Sequence, residues 1–183
     1  MLIPRLETER LLLREWREET DFDTYAAMMA DPDVMRYLIG QPAPRFEAWR
    51  SMAVMVGHWT LRGFGHWAVE ERATGRFVGR IGFLNPDGWP GFEIGWTLAR
   101  EHWGKGIASR ALELLLLEVP TRPLYAHVAT SNGASLRVLR KCGFVVERVW
   151  LSPASDRFPE CEEAVLVLAE GEFGRHGDDG GEQ

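Results

Sequence analysis

The sequence predicts a single α/β domain, and three observations carry that expectation. Between His66 and Leu98, short segments alternate with period 2 and are punctuated by glycine-containing turns, the mark of hairpin-linked strands. From Gly104 onward, helical and extended patterns alternate, as they do where helices pack on a sheet. The 183 residues, 45% of them hydrophobic, suffice for one well-buried core and leave room for only a very small second domain.

The elements follow in order. Leu11, Leu13 and Glu15 alternate with Leu12, Arg14 and Trp16 in a brief run that fits an opening strand. Thr20 or Asp21 can cap a helix carrying Phe22, Tyr25, Ala26 and Met29, which the Asp-Pro-Asp at 31–33 stops before a further turn through Leu38. A longer helix is expected from about Arg45 to Leu61, with Phe46, Trp49, Ala53 and Val56 on its apolar stripe. The segments H-W-A-V-E-E and R-F-V-G-R-I-G-F, joined by A-T-G, read as a hairpin, and F-E-I-G-W-T-L adds a third strand to an antiparallel meander. A helix then carries Ile107, Ala108, Ala111, Leu112 and Leu115 on one face and is closed by Pro120. The strand L-Y-A-H-V-A-T comes next, followed by a helix capped by Asn132 and stopped at Gly143. Two strands, F-V-V-E-R-V-W and E-E-A-V-L-V-L-A, complete the domain over residues 1–169. The Gly- and Asp-rich tail, 170–183, cannot bury a core and is expected to be mobile.

Composition excludes several classes. A formal net charge of -6 argues against a general nucleic-acid binder, which needs a surplus of Lys and Arg to neutralise phosphate. The start shows no basic segment leading into an apolar run with a cleavage site, and no apolar run approaches the length of a membrane span. Cys142 and Cys161 form neither a C-x-x-C nor a metal spacing with the five histidines, so no metal is expected and a reducing cytoplasmic setting fits best.

The stretch R-E-H-W-G-K-G-I-A, from Arg100 to Ala108, places two glycines where a helix begins. A helix start exposes backbone N–H groups without intrahelical partners, and small residues let an anion approach them, so Gly104 and Gly106 offer a phosphate cradle with Lys105 beside it. The plain alternative is a tight strand-to-helix turn. The pattern lacks the third glycine of the dinucleotide fingerprint and the Gly-Lys-Ser/Thr ending of a P-loop.

Several blocks together are more specific. The run E-I-G-W-T-L-A-R-E-H-W-G-K-G-I-A-S-R-A-L and the later A-H-V-A-T-S-N-G-A-S-L-R-V-L-R-K-C-G-F resemble the central motifs of the GCN5-related N-acetyltransferases (GNAT). With T-E-R-L-L-L-R, D-P-D-V-M-R-Y-L and T-G-R-F-V-G-R-I-G-F they resemble its RimJ/RimL-type branch, over about Thr8 to Leu168. The resemblance implies a mixed sheet with helices on both faces, in which the strands G-F-E-I-G-W-T-L and L-Y-A-H-V-A-T splay apart to admit acetyl-CoA. It implies pantetheine pairing along Trp96, Thr97 and Leu98. It places the pyrophosphate on amides of Trp103, Gly104, Lys105, Gly106, Ile107 and Ala108. One departure is Glu101, which stands where the family has Arg or Gln, with Arg100 adjacent.

Acetyl transfer to an amine needs a neutral amine, stabilisation of a developing oxyanion and a proton for the departing thiolate. A backbone N–H near Trp96 or Thr97 can polarise the thioester carbonyl. The Tyr that many family members use as the acid is here Leu139, whereas the branch's usual candidate corresponds to Ser135, with Asn132 fixing pantetheine or a water; the plain readings are a helix cap and a first-turn serine. Strand alternation turns Glu93 away from Phe92 and Ile94, so its carboxylate can serve as a base through water or simply pair with an Arg. His127 is a second base candidate or a packed histidine. Cys142 reads as core.

The acceptor is bordered by the helices between Asp21 and Arg62 and by the loop carrying Trp89, with Trp49, Trp59 and Trp67 either lining it or in the core. The branch implies a protein N-terminal amine, and relatives also acetylate small amines. Direct transfer in a ternary complex is the expected activity; the alternative is a non-catalytic acyl-CoA-binding module that kept the cleft. No nucleic-acid or membrane partner is expected, and a homodimer through the edges of the last strands is an assembly the resemblance allows.

Overall fold

A computed structural model describes residues 3–89, 91–154 and 160–169. Among these described residues eight strands form one mixed sheet: β1 (Leu6–Glu7), β2 (Leu11–Arg14), β3 (His66–Glu71), β4 (Arg76–Leu84), β5 (Glu93–Leu98), β6 (Leu124–Ala129), β7 (Val145–Ser152) and β8 (Cys161–Leu168). Their order is β1-β2-β3-β4-β5-β6-β8-β7. All neighbours are antiparallel except β5 and β6, which are parallel, so the expected meander and mixed sheet are both present. β1, too short for a periodic signal, was not expected from the sequence; it pairs Leu6 with Leu13.

The helices are α1 (Glu18–Ala30), α2 (Pro32–Met35), α3 (Arg45–Arg62), α4 (Ile107–Glu118) and α5 (Gly133–Lys141). They cover both faces. On one, Ile107, Ala111, Leu112 and Leu115 of α4 and Leu139 of α5 pack against Leu13, Val69, Ile81, Ile94, Leu124 and Leu166. On the other, Tyr25 and Met29 of α1, Val34 and Met35 of α2 and Met52 and Met55 of α3 enclose Ala68 and Phe77. Strand alternation sends successive β5 side chains to these opposite faces, so Ile94 enters the first core while Glu93, Gly95 and Thr97 face the side of the first three helices.

Two expectations are corrected. α1 starts at Glu18, and Asp21 is not its cap: Asp21 is buried within the helix, where it holds the Arg14 guanidinium through two 2.8 Å bonds and accepts from the Arg17 N–H at 2.9 Å. A cation in the strand claims the carboxylate that sequence alone assigns to capping. In α3 the expected stripe is the wrong one. Phe46, Trp49 and Val56 are exposed, and Ala48, Met52, Met55 and Trp59 face inward. Both sets have helical spacing, so the period could not distinguish them; packing against β3 and β4 does. Of the tryptophans, Trp59 and Trp67 are core and Trp49 is an exposed donor to Glu18. The expected mobile tail lies outside the described residues.

Candidate active site

β5 pairs with β4 along its whole length, from Glu93 to Leu98, yet meets β6 through one register pair, Glu93 with Tyr125. The Tyr125 N–H donates to the Phe92 carbonyl at 2.9 Å, and beyond that point the two parallel strands part. Backbone groups of a strand alternate sides. Because the Phe92 carbonyl faces β6 and the Ala99 N–H bonds the Val78 carbonyl across the sheet, the peptide groups of Ile94, Trp96 and Leu98 face the gap. Those of Thr97 belong to the β4 ladder. Of the expected strand residues, Trp96 and Leu98 therefore present main chain to the opening, and Thr97 presents only a side chain, on the opposite side of the sheet from the α4 core. The Leu98 carbonyl is already taken by Trp103 Nε1 at 2.9 Å.

After a short 3-10 turn, Arg100–His102, the chain reaches Gly104 and Gly106 at φ +70° and +74°. Left-handed backbone of this kind favours glycine. A Cβ built on either residue meets nothing within 4 Å, so the space above the loop is open. Gly106 is the N-cap of α4, which has no side-chain cap, and the amides of Ile107 and Ala108 follow it at the helix start. The Ile107 side chain anchors this end in the core, and Lys105 is exposed beside it. Arg100 is bound to Asp31 at 3.3 Å and Asp33 at 2.7 Å, so it braces α2 and is not free at the cradle.

Across the gap, Asn132 caps α5, its Oδ1 accepting from the Ser135 N–H at 3.2 Å. Its amide nitrogen and the Ser135 hydroxyl have no partner among the described residues. Leu139 is fully buried, so its side chain does not reach the cleft. Sequence reasoning missed Tyr37, whose hydroxyl donates to the Ser131 carbonyl at 3.3 Å from 94 residues away; no local pattern could announce it.

On the acceptor side a cleft of about 200 Å³ is lined by Trp89, Gly91, Glu93, Tyr125, His127, Glu147, Arg148 and Val165. Trp89 Nε1 donates to Glu93 Oε2. Burial raises the Glu93 carboxyl above its ordinary value, opposed by the nearby His127 charge and the Trp89 bond. His127 Nδ1 lies 3.4 Å from Glu163 Oε2, and that hydrogen bond raises the imidazole, with the Glu93 and Glu163 charges adding to it. A histidine held toward its charged form is the poorer base of the two. Cys142 is core, as expected, and burial pushes its thiol up to about 11. Among the described residues no cluster of His, Cys, Asp or Glu could hold a metal ion, and no helix is long and apolar enough to cross a membrane.

Residues 10–145 match the family model described as the acetyltransferase (GNAT) domain. The uncharacterized N-acetyltransferase p20 of Bacillus licheniformis is 32% identical over 148 residues, covering 78% of this chain and 83% of that protein. An acetyltransferase structure from Agrobacterium tumefaciens is similar with a TM-score of 0.76 and 28% identity, over 93% of this chain and 96% of the other. The spermidine N-acetyltransferase of Vibrio cholerae, solved with CoA and spermine, shares the fold at a TM-score of 0.72 and 19% identity, over 90% and 98% of the two chains.

Proposed function

Because this chain belongs to the GNAT acetyltransferases, we propose that it transfers the acetyl group of acetyl-CoA directly to a primary amine bound beside Glu93, on the RimJ/RimL-type branch. The observation that carries this reading is the parted pair β5 and β6, whose gap runs from the open glycine cradle to the Glu93 cleft. The residues present fit the cosubstrate. Trp96 offers unpaired main chain for an amide-bearing arm, and the uncapped α4 start, reached over Gly104 and Gly106, offers N–H donors to a diphosphate.

Acetyl-CoA supplies an activated acetyl group, whose C–S bond breaks as the C–N bond to the amine forms. Glu93 takes the amine's proton through water, for which its raised affinity for protons suits it near neutral pH. The Trp96 N–H faces the gap where the carbonyl oxygen gains charge. Ser135 gives its hydroxyl proton to the departing sulfur and is reprotonated from solvent, while Asn132 holds the first turn of α5 in place and offers its amide to the pantetheine arm or a water. Direct transfer is favoured over a covalent acetyl-enzyme because burial raises both the Cys142 and the Cys161 thiol, leaving neither as a ready thiolate. An amine acceptor, either a protein N-terminus or a small amine such as that named for the Vibrio cholerae neighbour, can meet the Glu93 and Glu147 carboxylates in this cleft, which Arg148 also lines.

Thermal unfolding with and without acetyl-CoA, alongside thiol release over a panel of amines, tests the proposal. A raised midpoint with amine-dependent release is expected; no midpoint change at saturating cosubstrate would refute the assigned site. Ser135→Ala should lower kcat by about 10²-fold, the low end for loss of a general acid, with acetyl-CoA affinity kept. Gly106→Val places a β-branched residue at φ +74°. It should cost about 1–2 kcal/mol of stability and, by closing the cradle, weaken acetyl-CoA binding about tenfold or more, read from the midpoint shift.

A further inference from the structure

Two cations line the cleft beside Glu93, and they are held differently. Arg148 is exposed on the edge strand β7, whereas His127 is half-buried on β6 with its ring fixed from two neighbouring strands. Glu163 of β8 places Oε2 3.4 Å from His127 Nδ1, and the same oxygen accepts from Trp150 Nε1 of β7 at 3.2 Å. A carboxylate oxygen accepts from both, so Nδ1 carries a hydrogen and Nε2 is the nitrogen that gains or loses a proton.

Glu93 is its neighbour across the sheet. β5 and β6 are in register at Glu93 and Tyr125, and His127 lies two residues further along the same face of β6. One strand spacing across and one repeat along set the two backbones about 8 Å apart, a span that a carboxylate and an imidazole can shorten between them. A base in this position works against its surroundings, because burial favours the neutral form of Glu93 over the carboxylate that must take a proton. Of the two cations, the one whose charge opposes burial at Glu93 is His127. The influence is mutual: the Glu163 bond, and after it the Glu93 and Glu163 charges, hold His127 toward imidazolium against burial and the Arg148 charge. Glu147 of β7 and Tyr125 of β6 are the other ionisable groups lining the cleft.

Resting on the reading of Glu93 as the base, we propose that His127, clamped by Glu163 and Trp150, is the counter-ion of Glu93 and a positioning residue for acetyl transfer. It takes no proton from the amine. Its charge keeps Glu93 a carboxylate until the amine gives up its proton, and Glu163 in turn keeps that charge on His127. Two carboxylates and one imidazolium, on the adjacent strands β5, β6 and β8, thus titrate as one unit.

NMR titration of the protein without acceptor tests the pairing. The His127 ring, its signal identified by its absence in His127→Gln, should titrate above the ordinary histidine range and move to lower pH in Glu93→Gln. The Glu93 carboxyl, followed by its carbon-13 signal, should move to higher pH by the same amount in His127→Gln, because coupling between two sites is reciprocal. Glu163→Gln, isosteric and leaving both partners in place, should also move His127 to lower pH, and it serves if His127→Gln does not fold. Thiol release against pH, with spermidine and a short peptide as acceptors, tests the role. In His127→Gln the rising limb of kcat/KM should move to higher pH, with a loss of roughly tenfold below the limb, the low end for removing a nearby opposite charge, and most of that loss recovered on the plateau. His127→Arg, charged at every pH, should bring the limb back. A His127 titration that Glu93→Gln leaves in place overturns the pairing; a limb that stays put in His127→Gln, or a loss equal at every pH, overturns the role. An absent acetyl-CoA midpoint shift in the unaltered protein would instead remove the acetyltransferase reading, while the reciprocal titration stands or falls by itself.

Discussion

Glu93→Gln should lower kcat by about 10²- to 10⁴-fold, the range for loss of a general base. The sign of its side effects distinguishes this role from a structural one. Burial raises the Glu93 carboxyl, so the folded protein favours its neutral form. The stability it contributes is full below the ordinary carboxylate range and is lost as pH rises through the raised value. At neutral pH its charge is therefore a cost, and the neutral, isosteric Gln should leave the unfolding midpoint unchanged or raise it while turnover falls. The pH profile moves in step. In the unaltered protein kcat/KM should rise with pH through an apparent pKa above that of an ordinary Glu, and the variant should lose that limb. An equal fall in stability and rate, with the limb retained, would show that Glu93 only holds Trp89.

Asp21→Ala has the largest expected effect on stability. Arg14 and Asp21 are 1% and 0% exposed, joined by two 2.8 Å bonds, with Glu70 at 2.6 Å on Arg14 Nε. Removing one member of a buried pair strands the other's charge, at about 3–5 kcal/mol. For a chain of this size that is a fall in melting temperature of roughly 6–20 °C. The pair itself adds little over apolar packing of the same shape, so Arg14→Met with Asp21→Leu should recover most of the loss. A fall of under about 1 kcal/mol in Asp21→Ala, by chemical denaturation, would mean that Glu70 alone satisfies the guanidinium.

What could be read from the sequence was what local rules determine. Gly106 before Ile107, Asn132 before Gly133 and Gly143 after Lys141 are helix signals with a short-range mechanism, and the structure places helix ends there. Alternation likewise put Glu93 on the face opposite Ile94. What escaped was decided by partners distant along the chain. Asp21 looks like a cap until Arg14 is seen beside it, the α3 stripe depends on which of two apolar faces meets the sheet, and Tyr37 reaches Ser131 only after folding. The contact of Arg80 with His66 escaped for the same reason, since the two lie on different strands and share no motif.

The gap between β5 and β6 is edged by peptide groups, which all residues but proline supply alike. Its grip is consequently written in the reading frame of the strand and not in its spelling. Exchanging Trp96 for another non-proline residue leaves the same N–H and C=O turned outward, whereas inserting a single residue within 93–98 would turn the neighbouring set outward and reverse the facing of the side chains beyond it. β5 can therefore drift in composition while remaining intolerant of changes in length, and its relatives should differ there by substitution far more readily than by insertion.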